Sequence, residues 1–310
     1  MAQTIIYDCD PGRDDAIALM LAVGDPRLDL AAVTTVGGNL PLAGATANAL
    51  DLLAALGAGD IPVYAGAGKP LVADLVTAPA VHGCGGLDGV DHNSALAPCP
   101  GHAAAVIARR IMESDPGTIT LVATGPLTNL ALAVELEPAI AHRVNNVVIM
   151  GGGYHTGNCT PVAEFNIHTD PEAAAMVFRA DWPVVMLGLD VTHQATVDDR
   201  TQAMLTAAGT SAAVCAGKIM SAYRTAYRGQ SAMPHPPIHD LCAVAYAADP
   251  TLFDSVHAPV AVELTGSLTR AMTVVDFRPT APVNHRHTVV TGVDNSRLFA
   301  TLREALGRLP

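Results

Sequence analysis

The sequence predicts an α/β protein built on a doubly wound, mostly parallel sheet, and three observations carry that prediction. Short β-branched runs alternate with Ala- and Leu-rich amphipathic segments along the chain. Of 310 residues, 50% are hydrophobic, 15% charged and 4% aromatic, which suits an interior of layered strands and helices and argues against disorder. Unusual polar chemistry gathers directly after the apolar runs, where open parallel sheets hold their ligands.

Residues 4–9 read as a strand, 14–24 as a helix and 30–36 as the next strand, together a βαβ unit. A helix at 42–56, a strand at 61–64, a helix at 103–112 and strands at 118–122, 144–149 and 184–189 continue the alternation. Beyond residue 259 the character changes. There VAVELTG, MTVVDF and HTVVTGV, separated by turns, precede a final helix at 296–306. They are expected as extra C-terminal strands, added at the sheet edge or forming a small β subregion. Neither an internal repeat nor a long linker divides the chain, so one domain over 1–310 is expected. Two stretches, 68–100 and 228–238, fit neither helix nor strand and have the make-up of loops that close over a site.

Charge narrows the function. With 17 Lys plus Arg against 29 Asp plus Glu, the formal charge of -12 excludes a nucleic-acid partner and favours a small neutral or cationic ligand. Six cysteines without a CxxC pair point to a reducing cytosol, hence a cytoplasmic protein. The opening MAQTIIYDCD has no secretory pattern, and no run approaches the roughly 18 apolar residues of a membrane span, so no membrane partner is expected.

The segment DCDPGRDD sets Asp8 and Asp10 on one face at the end of the first strand, with Asp14 and Asp15 opening the following helix. At separations of roughly 5 Å and an effective dielectric near 20, each carboxylate pair repels by about 3 kcal/mol. A helix N-terminus returns only about 0.3–1 kcal/mol. Capping explains one or two of the four aspartates, and a bound cation explains the rest. The spacing rejects an EF-hand, because Arg13 stands where its glycine belongs and Leu19 where its last glutamate belongs. A set of carboxylate oxygens points to calcium or magnesium, and a crowded carboxylate set favours calcium.

Together with DCDPGRDDA, the segments TTVGGN, ATGPLTNLA, MGGGYHTGNCTPVAEFNIHTDPEAA, GLDVTHQA, HDLCAVAY and MTVVDFR resemble, in this order and nearly end to end, the inosine-uridine-preferring nucleoside hydrolases. The resemblance implies a Ca2+ site made by Asp10, Asp15, the Thr124 carbonyl and Asp240. It also implies Asp10 as the general base for a water held by the calcium, with direct attack and inversion at the anomeric carbon. Asp14, Asn39 and Asn166 would grip the ribose 2′ and 3′ hydroxyls. Asn158 and Glu164 would hold the 5′ hydroxyl, with the Met150 carbonyl close by. His239, beside Asp240, matches a histidine thought to protonate the leaving base, and His82 one placed over it. Tyr223 and Tyr227, four apart on one helical face, would stack on the base or simply pack in the core. The chain departs from the family pattern at Cys84 and Gly85. A small-molecule nucleoside substrate and a homo-oligomer, dimer or tetramer, complete the implied picture.

His285 and His287 stand apart from any cluster and are expected at the surface. The glycines of Gly151 to Gly153 lack Rossmann spacing and suit close backbone approach to a ligand. A phosphatase of the haloacid dehalogenase type also begins Asp-x-Asp, but it needs a lysine at the phosphate, and Lys69 and Lys218 are placed for neither. A calcium-dependent nucleoside-binding protein without turnover is the other alternative, and no position implied as catalytic is missing to support it.

Overall fold

The structure is a computed structural model that describes residues 2–83, 85, 87–228, 233–282 and 287–310. Its strands are β1 (Gln3–Cys9), β2 (Leu28–Thr35), β3 (Val63–Ala65), β4 (Ile119–Ala123), β5 (Asn146–Met150), β6 (Val184–Leu187), β7 (Phe253–His257), β8 (Val260–Val262), β9 (Thr273–Val275) and β10 (His287–Val293). The helices are α1 (Arg13–Gly24), α2 (Leu42–Ala55), α3 (Pro79–His82), α4 (Ala103–Glu113), α5 (Thr128–Leu136), α6 (Phe165–Thr169), α7 (Pro171–Arg179), α8 (Leu189–Thr192), α9 (Asp199–Thr206), α10 (Ser211–Tyr227), α11 (His239–Ala248) and α12 (Asn295–Leu306).

Eight strands form one sheet in the order β3-β2-β1-β4-β5-β6-β10-β7, parallel except for β7. Alternation along the strands explains how both faces are buried. Ile5, Tyr7 and Cys9 point into a core shared with α1, α2, α11 and α12, while Ile6 points into a second core shared with α4, α5 and α7. In β6, Val185 and Leu187 serve the first core and Val184 and Met186 the second. The strand order reverses between β1 and β4, which opens a crevice beyond their carboxyl ends.

The expected C-terminal strands form, but the one that joins the main sheet lies between β6 and β7 rather than at its edge. HTVVTGV becomes β10 and extends the main sheet, whereas VAVELTG and MTVVDF supply β8 and β9, a separate antiparallel pair. The edge strand β7 has no counterpart in the sequence reading; four of its five residues are exposed, so it carries little hydrophobic signal. The strand expected at 184–189 ends at Leu187, since Gly188 turns the chain into α8. His287 is a correction. It is buried, with Nδ1 accepting from the Val260 N–H at 2.9 Å and Nε2 lying 2.9 Å from the Phe178 carbonyl, so the imidazole bridges β8 and α7. His285 and Cys84 lie outside the described residues.

Candidate active site

The floor of the site is made where β1, β2 and β4 end. Asp10 follows β1 directly, and its Oδ2 accepts from the Asn39 backbone N–H at 2.5 Å. No side chain fits beside it: a Cβ on Gly38 would lie 2.0 Å from Asp10 Oδ2, and one on Gly125 would lie 2.8 Å from Oδ1. Those two glycines let the β2 and β4 loops close on the carboxylate. Asp15 Oδ2 accepts from the Gly12 N–H at 3.0 Å and from Asn39 Nδ2 at 3.2 Å, and its Oδ1 accepts from Thr124 Oγ1 at 2.8 Å. Capping therefore accounts for Asp15 in part, as the backbone bond to Gly12 shows.

Helices α1 and α11 both begin at this floor, and Asp14, Asp15 and Asp240 each bring an oxygen within 4.8 Å of the others. Asp10, Asp14, Asp15 and Asp240 are all buried, and Asp10 Oδ1 and Asp14 Oδ1 have no hydrogen-bond partner. Burial first, then the charge of neighbouring carboxylates, holds the acid groups of Asp10, Asp14 and Asp240 well above the usual range, Asp14 at about 7. Among the described residues no Lys or Arg side chain pairs with these four, and the nearest basic group is the His82 imidazole, whose Nδ1 lies 3.7 Å from Asp14 Oδ1. Orphaned carboxylate oxygens without cationic neighbours fit a hard divalent cation.

Asp8 stands apart from that group. Its Oδ1 accepts from Thr34 Oγ1 at 2.5 Å and Asn129 Nδ2 at 2.8 Å, and burial pushes its acid group up to about 7. Asn129 also donates to the Thr35 carbonyl and accepts from the Ala67 N–H, so it braces the ends of β1 and β2 against α5. Sequence reasoning did not single out Asn129; its place in the quoted segment after β4 was the available signal.

Above the floor lies a cavity of about 670 Å³ whose wall includes Asp14, Asn39, Thr124, Met150, Asn158, Glu164, Asn166 and Asp240. Asn166 Nδ2 donates to the Thr124 carbonyl at 2.7 Å and to the Met150 carbonyl at 3.1 Å, which leaves its Oδ1 for other partners. Glu164 caps α6 and accepts from Gly152, Asn166 and Ile167 N–H groups, yet burial still raises its acid group to about 7. Gly152 adopts φ +77°, a conformation that favours glycine and turns its N–H onto Glu164.

The opposite end of the cavity is lined by rings. His82 Nδ1 accepts from the Arg13 N–H at 3.2 Å, and the ring stacks on Tyr223 with centroids 6.1 Å apart and planes at 28°. Tyr223 is buried as well as cavity-lining, so its core and binding readings coexist; it meets Tyr227 edge-on at 5.7 Å. His239 Nδ1 lies 2.8 Å from Thr192 Oγ1. Burial, chiefly, lowers both His82 and His239 to about 3, so each ring is neutral at pH 7. His193, which the sequence reading passed over, also lines the cavity and leans on His239 at 5.6 Å. Its position just beyond β6 was the clue. The structure thus brings every expected site residue to one place, with Asp10 and Asp15 fully buried behind the wall.

Comparison with known proteins identifies the family. The family described as "Inosine-uridine preferring nucleoside hydrolase" matches residues 5–300. An inosine-uridine preferring nucleoside hydrolase of Leishmania major is 45% identical over 100% of this chain and 99% of its own length. The pyrimidine-specific ribonucleoside hydrolase RihA of Citrobacter koseri is 40% identical over 99% and 98%. In structure, a purine-preferring ribonucleoside hydrolase from Gardnerella vaginalis superposes with a TM-score of 0.92 at 29% identity, covering 98% of both chains. The chain therefore belongs to the inosine-uridine preferring nucleoside hydrolases, a family of metal-dependent hydrolases, and is an enzyme of that kind.

Proposed function

We propose that the protein hydrolyses the N-glycosidic bond of purine and pyrimidine ribonucleosides to free base and ribose, in a calcium-dependent reaction. One observation carries the reading: a floor of buried carboxylates, without a Lys or Arg partner among the described residues, lies under a cavity that is polar at one end and ring-lined at the other. Asp10, Asp15, Asp240 and the Thr124 carbonyl would hold the calcium, with Asp14 converging on the same point. Bound calcium would let these carboxylates ionise together and would acidify a water at the site.

Asp10 keeps one oxygen unpartnered and takes the proton from the attacking water. Asp14, Asn39 and Asn166 orient the ribose through its 2′ and 3′ hydroxyls, and Asn158, Glu164 and the Met150 carbonyl hold the 5′ end. A sugar lacking a hydroxyl would leave one of these buried groups unpaired, which is how the site rejects it. As the bond breaks, positive charge grows on the ribose beside the acidic floor. His239, neutral and steadied by Thr192, offers an N–H to the departing base. His82, Tyr223 and Tyr227 offer that base ring faces, and stacking of this kind tolerates more than one base.

The test is to incubate the protein with inosine, uridine and cytidine, with and without a calcium chelator, and to measure free ribose. Ribose release that a chelator abolishes and calcium restores is expected; tight binding without ribose from any of the three would leave a binding protein instead. The chain is further proposed to fold as one domain and to assemble in the cytoplasm as a dimer or tetramer, which light scattering on the purified protein checks.

A further inference from the structure

We infer that Arg13 is a positioning residue that latches the first long loop onto the carboxylate floor and holds His82 over the cavity. The inference rests on the proposed placement of His82 at the leaving base. Arg13 stands between the glycine turn after Asp10 and the two aspartates that open α1, yet its side-chain hydrogen bonds among the described residues lead to the loop rather than to the floor. Its Nε donates to Asp88 Oδ2 at 2.9 Å, its Nη1 donates to the Val81 carbonyl, and its backbone N–H donates to His82 Nδ1 at 3.2 Å. The Arg13 side chain is only 13% exposed, against 43% for Asp88, so the guanidinium reaches inward across the loop rather than into solvent.

Three consequences follow from this geometry. An imidazole that accepts at Nδ1 carries its proton on Nε2, so the backbone N–H at position 13, which any residue but proline supplies, fixes the tautomer, while the Arg13 side chain holds the loop that carries the ring. The ring sits so tightly on the turn that a Cβ at Gly12 would lie 2.2 Å from His82 Nδ1. Because His82 stacks on Tyr223 and Tyr223 meets Tyr227, the latch also joins the loop to the ring wall on α10. A planar guanidinium serves the Asp88 carboxylate and the Val81 carbonyl at once, which a lysine ammonium does less well.

The test uses the calcium-loaded enzyme, the variants R13M, R13K and D88N, and two readouts. In limited proteolysis with thermolysin, R13M is expected to be nicked within residues 71–100 at least tenfold faster than the parent, with R13K and D88N between them. In kinetics, R13M is expected to lose at least tenfold in kcat/KM on inosine but less than twofold on p-nitrophenyl riboside, whose leaving group departs unaided. R13K should recover part of the loss. Unchanged nicking in both R13M and D88N would overturn the latch, as would an equal loss on both substrates, which would assign Arg13 to the carboxylate floor. If R13M does not fold, D88N alone decides by the same criteria. If the parent cleaves neither substrate, the proposed function fails while the proteolysis still decides the latch.

Discussion

The floor and the rim of the cavity are built by different means. Floor carboxylates sit at the end of β1 and in the first turns of α1 and α11, all buried, and those of Asp10 and Asp15 are fixed by backbone N–H groups and by Thr124 and Asn39. The rim is carried by a short helix in a long loop and by the end of α10, and it is held together by ring contacts and the Arg13 latch. On the proposed function, the floor sets where the sugar is attacked and the rim meets the base.

The sharpest way to break the comparison is at the floor. Asp10→Ala is expected to lower kcat by about 10²–10⁴-fold on every nucleoside alike, the scale of a lost general base, with free ribose as the readout. Asp15→Asn should abolish calcium binding in calorimetry while Asp14→Asn keeps it weakened and raises KM; equal losses would merge the two roles. His239→Ala belongs to the rim. It should cost about 10²-fold on inosine and much less on uridine, and an equal loss on both would make it part of the floor. Tyr227→Ala should raise KM by roughly tenfold, since stacking on a base contributes about 1–3 kcal/mol, with kcat little changed.

The smallest effect is on stability. The folded pKa of Glu164, about 7, lies above its unfolded value, so its contribution is fully present below pH 4.5 and is lost as pH rises through 7. Glu164→Gln should flatten the dependence of Tm on pH across that window.

The floor was legible in the sequence because strand ends are periodic and four aspartates in eight residues demand an electrostatic explanation. The alternating runs that became β1, α1, β2, α2 and α4 were legible for the same reason, namely burial on a fixed period. What lay beyond reach was spatial pairing. Asn129 and His193 look like ordinary loop residues until the fold sets one under Asp8 and the other beside His239. His287 looked superficial because two of its partners, Val260 and Phe178, are supplied by elements distant in sequence. Tyr223 could be assigned to either core or cavity, because a helix seated under a loop offers it both.

The glycines around Asp10 and His82 carry a consequence for how this enzyme tolerates change. At Gly12, Gly38 and Gly125 a single methyl group would meet the imidazole of His82 or the carboxylate of Asp10. Alanine, elsewhere the mildest of substitutions, is there as damaging as any other residue. A survey of alanine replacements would trace the outline of this site through positions that have no side chain at all.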